Sequence, residues 1–349
     1  MINFKNWGIV GYNDNTGLGC QNRDIKKVLG ITNHLIIQSE KLTNNYFCEK
    51  TDFLLNNETP KKDIENKIRD LEGLIFVENP GWHPHVLTTA KKYKVKTLCI
   101  VNWEWFNPNG SDWRKVDCLI APTKYTENIL AKFGFQNSIY LENPIDLKIL
   151  PLRQVRGYPK IFVHNAGIVD HDDRKSTYQV VKSFENIILK DLKLIINTQK
   201  KLDIEVKDKR IEIRIGDKPS KNELYNEGDV LIQPSKMEGL GLSILEGVCS
   251  GLPVITTNHP PMNQWVWHRD LQVSTQIFKR KSFSNKSAGI KHAFLKIPST
   301  KSLTKVIEWC ANNKMDFYSN ENRKWAQQNF EESIIKKKWN ILLNNFFDA

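Results

Sequence analysis

The chain has 349 residues and a net charge of +12, from 51 Lys and Arg against 39 Asp and Glu. That length suits about two domains with real cores, and no apolar run approaches the roughly 20 residues that a membrane-spanning helix needs. The opening "MINFKNWGIVGYND" turns polar after one strand's length and lacks a secretory hydrophobic core, so a cytoplasmic location is expected.

Short apolar runs bounded by turn formers predict strands at 7–12, 73–79, 96–102, 116–122 and 138–143. Helical spacing fills the gaps in "DIKKVLG", "HVLTTAKKYK" and "TKYTENILAKFG"; the last opens on a Thr cap and closes on Gly. The segment 144–159 holds three prolines and no periodicity, as an interdomain linker would. Strands then restart at 159–167, 191–198, 210–216, 229–235 and 252–257, and the tail from Ser302 reads as helices. Strands alternating with helices imply parallel sheets covered on both faces. The expected architecture is therefore α/β, with two Rossmann-like doubly wound domains facing a cleft. Residues 1–150 form the first, 151–330 the second, and 331–349 a final helix crossing back onto the first.

Six dispersed cysteines without a C-x-x-C predict reduced thiols packed as small hydrophobes. The positive balance draws the protein to something anionic: nucleotide phosphates, nucleic acid or an anionic membrane face. Its lysines are spread, however, and the runs at 279–281 and 336–338 are short, as on a solvated surface.

Ligands of open parallel sheets bind beyond the carboxyl ends of the strands, where helix N-termini offer free N–H groups to anions. "YNDNTGLGCQNRDI" (12–25) fits that location, with Gly17 and Gly19 permitting close approach of backbone to a ligand, although a tight strand-to-helix turn explains the same glycines. In the second half, "DVLIQPSKMEGLGLSILEG" (229–247) ends a strand near Ser235 and places Glu238 in a glycine loop ahead of a helix expected from about Leu240. Glu246 follows eight residues later, about two turns, which predicts both acids near one helix face, able to accept hydrogen bonds from sugar hydroxyls. His83 and His85 in "GWHPH" flank a helix start and read as capping or packing residues.

The segment "PSKMEGLGLSILEGVCSGLPVIT" resembles the E-x7-E segment of family 4 retaining glycosyltransferases, which have the GT-B fold. "NTGLG", "VDCLIAPTKYTENIL", "ENPID" and "HNAGIVDHDDRKSTYQVVKSF" resemble that family's other landmarks over nearly the whole chain. The resemblance implies that Arg174 and Lys175 grip the donor diphosphate, that Glu246 holds the donor ribose, and that Glu238 serves the transferred sugar. Ser235, Gly239 and Leu240 would line the donor with Gly17 and Gly19. Many relatives carry a His at the end of a strand of the first domain; here "VNWEWFNP" (101–108) stands there, making Trp103 and Glu104, with Asn13, the acceptor-side candidates. "NHPPMNQW" (258–265) resembles a "PPMNE" segment with Gln264 in place of Glu.

The only D-x-D, in "DHDD" (170–173), adjoins Arg174, so no cofactor and no obligatory metal is expected, the basic pair taking that role. The reading is a retaining transferase moving a sugar from a nucleotide-sugar donor, such as a UDP- or GDP-sugar, to a hydroxyl acceptor. Surface glycan or polysaccharide synthesis is the favoured setting, with a glycan or lipid-linked acceptor and peripheral contact with an anionic inner membrane face. Two alternatives stand beside it: a DNA-modifying enzyme acting on hydroxymethylated bases, and a non-catalytic sugar-nucleotide-binding protein on the same fold.

Overall fold

The computed structural model describes residues 2–38, 47–169, 172–282 and 294–348, without the side chains of 277–282 and 294. Two compact units emerge from its packing. Met1–Asp146 and Glu332–Ala349 belong to the first, and Leu147–Asn285 and His292–Glu331 to the second.

The first unit is a doubly wound sheet. Its elements run β1 (Trp7–Gly11), α1 (Gly17–Leu29), β2 (Asn33–Ile37), β3 (Phe53–Leu55), α2 (Lys61–Ile68), β4 (Gly73–Val77), α3 (Val86–Lys92), β5 (Lys96–Ile100), α4 (Ser111–Lys115), β6 (Cys118–Ala121), α5 (Lys124–Lys132) and β7 (Ser138–Tyr140). The seven strands pair in parallel in the order β3-β2-β1-β4-β5-β6-β7, so the winding reverses between β1 and β4. Strands β1 and β4 are buried along their whole length, which is why they read as continuous apolar runs. The expected strands of this half are present. Strands β2 and β3 were not anticipated; β2 carries a polar residue, His34, at a fully buried position.

The second unit repeats the pattern with β8 (Ile161–Gly167), α6 (Thr177–Glu185), β9 (Lys193–Thr198), β10 (Ile211–Ile215), β11 (Val230–Gln233), α7 (Leu242–Cys249), β12 (Val254–Thr257), α8 (Met262–Trp265) and β13 (Gln272–Val273). Six parallel strands lie in the order β10-β9-β8-β11-β12-β13, with the reversal between β8 and β11. An antiparallel pair, β14 (Thr275–Ser282) and β15 (Phe294–Pro298), follows, and then α9 (Thr300–Ala311) and α10 (Asp316–Phe330). The "KRK" run falls on β14, where its side chains lie outside the described residues.

The proline-bearing segment 151–159 has no regular structure and is tied to this unit. Arg153 donates to the carbonyls of Asn226 and Gly228, and the Gly157 N–H donates to Asp316 at 2.7 Å. The last helix, α11 (Glu332–Asp348), packs with the first unit. Ile335, Trp339 and Leu343, spaced four apart on one face, enter the core formed by Phe4, Trp7 and Ile25. The Trp339 indole N–H donates to the Glu142 carbonyl at 3.1 Å. Cys99, Cys118, Cys249 and Cys310 are buried thiols as expected, whereas Cys20 is half-buried and Cys48 exposed.

Candidate active site

The winding reversal between β8 and β11 splays the connections on either side of it and leaves a crevice at the carboxyl ends of those strands. Both loops that enter it carry charge. The loop after β8 holds Asp173, Arg174 and Lys175; the loop after β11 holds Ser235, Lys236 and Glu238.

Asp173, in a left-handed conformation (φ 45°), accepts the Thr177 and Tyr178 N–H groups at 2.8 and 3.0 Å and so caps α6. The next two residues reach across to the loop after β11. Arg174 reaches the Glu238 carboxylate at 2.5 Å and the Met237 carbonyl at 3.0 Å. Lys175 reaches the other carboxylate oxygen at 2.7 Å and the Ser243 hydroxyl at 3.1 Å. Ser235 donates its hydroxyl to that same oxygen at 2.6 Å. Backbone lacing fixes the two loops together, since the Lys236 N–H donates to the Arg174 carbonyl at 2.8 Å. Behind them His164 on β8, fully buried, bridges the Ile232 carbonyl and the Thr177 hydroxyl, and burial lowers its pKa to about 4.

Burial pushes the Glu238 carboxyl up, but the neighbouring Arg174 and Lys175 charges more than offset this and hold it at about 2. Burial pushes the Lys175 ammonium below its ordinary range against the opposing pull of Glu238. The result is a buried carboxylate gripped by two cations, one of which, Arg174, keeps a third of its side chain exposed.

Glu246 is 4 % exposed on α7 and occupies a different setting. Its two oxygens accept the Lys221 ammonium at 2.7 Å and the Tyr225 hydroxyl at 2.5 Å. The expectation that Glu238 and Glu246 share a helix face is corrected here. Helix α7 starts at Leu242, after Gly241 takes a left-handed φ of 76°, so Glu238 belongs to the loop and only Glu246 to the helix. Each acid therefore has its own partners. Gly239 and Leu240 are buried within the turn, and the Leu240 carbonyl accepts the Trp265 indole N–H at 2.7 Å. Gln264 lies on α8, half-buried.

In the first unit Thr16 caps α1, whose first turn contains both glycines of the expected loop. A Cβ on Gly19 would meet the Asp14 backbone at 2.3 Å, so the tight turn itself requires glycine there; Gly17 faces open space. Asn13 is buried, donating to the Phe47 carbonyl and accepting from Arg23. Trp103, an acceptor-side candidate, is 6 % exposed and packs edge-on against Tyr125 at 5.1 Å. Glu104 is half-buried beside it in the single turn Trp103–Trp105. His83 is buried, with Nε2 on the Asn56 carbonyl and Nδ1 accepting the His85 N–H, which matches its reading as a packing residue.

Sequence reasoning missed a polar chain at the reversal of the first sheet. Glu78, at a left-handed φ of 73° just after β4, meets the Asn102 amide at 3.4 Å; Asn102 meets Gln21 at 3.3 Å, and Gln21 meets Asn143 at 2.9 Å. It also missed Lys221, Tyr225 and Ser243. The only local signal is the four-residue spacing of Lys221 and Tyr225 in "KNELY", which places them on one side of a turn.

Among the described residues, no group of three or more His, Cys, Asp and Glu is arranged to hold a metal ion. Asp170 and His171 of the D-x-D segment lie outside those residues. No helix of the described residues is long and apolar enough to cross a membrane.

Two parallel doubly wound units, with charged loops at the reversal of the second, define the GT-B fold. Residues 160–277 match the family model described as Glycosyl transferases group 1, which spans the second sheet and the whole Arg174–Glu238–Glu246 arrangement. The chain is similar in structure to a glycosyltransferase from Rickettsia africae ESF-5, with a TM-score of 0.68 at 13 % identity over 98 % of both chains. It is likewise similar to the sucrose-phosphate synthase of Thermosynechococcus elongatus, at 0.66 and 12 % over 98 % of this chain and 99 % of that one. The apo lipopolysaccharide outer core galactosyltransferase WaaB follows at 0.62 and 13 % over 98 % and 99 %. No curated protein matches the sequence. The segment match and the shared fold support a glycosyltransferase.

Proposed function

We propose that the chain is a retaining glycosyltransferase that moves a sugar from a nucleotide-sugar donor to a hydroxyl acceptor in surface glycan synthesis. The observation that carries this reading is the Glu238 carboxylate held between Arg174 and Lys175 at the strand reversal. A departing nucleoside diphosphate gains negative charge in the transition state, and a guanidinium and an ammonium already held at the crevice stabilise it once the diphosphate has taken the place of Glu238. They replace a metal in this scheme.

Glu238 then has two duties. With no donor present it neutralises the two cations; with a donor bound, the phosphates take over that pairing and the carboxylate turns to hydroxyls of the transferred sugar. Glu246, with Lys221 and Tyr225 around it, is suited to the ribose hydroxyls. The departing phosphate takes the acceptor's proton, so a protein base is not needed. The acceptor is proposed to be a glycan or lipid-linked glycan; the similarity to a lipopolysaccharide galactosyltransferase is in keeping with that class. A screen of nucleotide sugars for nucleoside diphosphate release, with and without glycan acceptors, tests the reading. Release from one donor that disappears in Lys175→Ala supports it, and no release from any donor counts against it.

A further inference from the structure

The second unit carries a groove of about 600 Å³ that the donor chemistry does not use. It lies off β12 and β13, at the edge of the sheet, while the charged loops sit off β8 and β11. Strands are spaced about 4.8 Å apart, so the groove is displaced from the Glu238 loop by one or two such steps.

One wall is Trp267, 38 % exposed. Its indole does not hang free: Trp325 backs it at 5.4 Å and His268 flanks it at 5.2 Å. Trp325 in turn rests near Trp265, which is buried and anchored to the Leu240 carbonyl. The ring is therefore a fixed platform. The rest of the lining is Asn258, Asn263, Arg269, Gln272, Ser274 and Ser302. Asn263 donates to the Asn258 side-chain oxygen at 2.9 Å, which fixes both amides; among the described residues the Asn258 amide N–H₂ and the Asn263 side-chain carbonyl make no other hydrogen bond. Gln272 is held by the Val266 carbonyl at 2.6 Å. Arg269 is exposed and forms no ion pair among the described residues. No carboxylate lines the groove.

An indole face beside paired amide donors and acceptors matches a pyranose ring, whose C–H face is apolar and whose hydroxyls both donate and accept. A single guanidinium in the lining, with Asp270 and Glu321 close behind it around His268, suits one carboxylate or phosphate substituent better than the clustered charge of a free nucleotide. We propose that this groove binds an anionic saccharide chain at a site separate from the Glu238 cluster. Under the transferase reading it holds the growing glycan beside the point of transfer; the binding itself does not depend on that reading.

Calorimetry on the intact protein with a hyaluronan hexasaccharide, which carries uronates, and with neutral cellohexaose tests this. The hexasaccharide should bind, and Trp267→Ala should weaken it roughly tenfold or more, the usual loss on truncating a central aromatic anchor. Arg269→Ala should erase the preference for the anionic over the neutral sugar. Asn263→Asp, which keeps the shape and adds a negative charge, should repel the anionic ligand and spare the neutral one. Glu238→Gln should bind as wild type does, which separates this site from the donor site, and Tyr158→Ala, another exposed aromatic, should change nothing. Absence of hexasaccharide binding, or binding that Trp267→Ala and Asn263→Asp leave intact, overturns the proposal.

Discussion

Lys175 Nζ lies 2.7 Å from the Glu238 oxygen that also accepts the Ser235 hydroxyl, and the two side chains belong to loops 63 residues apart in sequence. Glu238 is buried and Lys175 largely so, and each compensates the other. The pair can be opened only by something that supplies a substitute charge. A donor diphosphate does so for the lysine.

Losing Lys175 should therefore cost catalysis more than folding. Lys175→Ala is expected to lower kcat/KM by roughly a hundredfold or more, the scale of removing one preorganised electrostatic stabiliser. EDTA should leave the wild-type enzyme active. Steady-state kinetics of donor turnover checks both, and an enzyme silenced by EDTA and restored by Mn²⁺ would assign the phosphate charge to a metal instead.

The separate partners of the two acids predict separate kinetic consequences. Glu246→Ala should weaken nucleoside diphosphate binding, because it removes the group expected on the ribose and strands Lys221. Glu238→Ala should bind the nucleotide at near wild-type strength, or more tightly as its cations are freed, and lose turnover. Calorimetry with the nucleoside diphosphate distinguishes them; equal affinity in wild type and Glu246→Ala would take Glu246 out of the donor site.

The depressed acidity of Glu238 has a consequence for stability. Its folded pKa of about 2 lies below the ordinary 4.5, so the carboxylate contributes stability that is complete above about pH 4.5 and lost as the pH falls through about 2. A shift of that size corresponds to about 3 kcal/mol. Glu238→Gln should thus be less stable than wild type at neutral pH, and the gap should close as acid is added. Urea unfolding across that pH range measures it; a gap that stays constant would remove the ion pair as its source.

His34 and His164 run the opposite way for their charged forms. Burial lowers each from 6.5 to about 4, so both stay neutral in the folded protein while the unfolded chain takes up protons below pH 6.5. Stability is predicted to fall between pH 6.5 and 4 and this contribution to level off below. Proton NMR of the imidazole resonances should show two histidines with midpoints near 4, and ordinary midpoints for all eight would refute it.

The basic surface separates the acceptor classes. If DNA were the acceptor, binding would collapse between about 50 and 200 mM salt as phosphate contacts release counterions. Weak nonspecific duplex binding and no transfer to hydroxymethylated DNA are expected, with anionic vesicles recruiting the protein instead. Radiolabelled sugar found in such DNA, and in neither lipid nor glycan fractions, would reverse that preference and leave the donor chemistry untouched.

The sequence announced those parts of the molecule in which local pattern and tertiary setting agree. Strands buried on both faces, such as β1 and β4, are continuous apolar runs, and the Thr123 cap and the glycine after α5 mark its ends openly. Strand β2 hid because His34 interrupts its pattern, a polar residue tolerated in the core through its contact with the Gly11 carbonyl. At the site, Glu238 and Glu246 were visible because acids stood among glycines. The partners of Glu246 (Lys221 and Tyr225) and the Ser243 hydroxyl on Lys175 were not, since they are brought there only through the folded loops. Nor could sequence tell that Trp103 turns inward while Trp267 turns outward: both are tryptophans flanked by aromatic and polar residues, and only packing decides which face meets solvent. The left-handed backbone of Glu78 was equally silent, because nothing in its neighbours requires it.

The central claim is that Arg174, Lys175 and Glu238 form the donor site of a retaining sugar transfer. Time-resolved proton NMR of donor turnover tests it most directly, by reading the anomeric configuration of the sugar as it first leaves the nucleotide. An α-linked nucleotide sugar should give the α product first, in wild type but not in Lys175→Ala or Glu238→Ala. A β product appearing first, or turnover at the wild-type rate in both variants, would contradict the account.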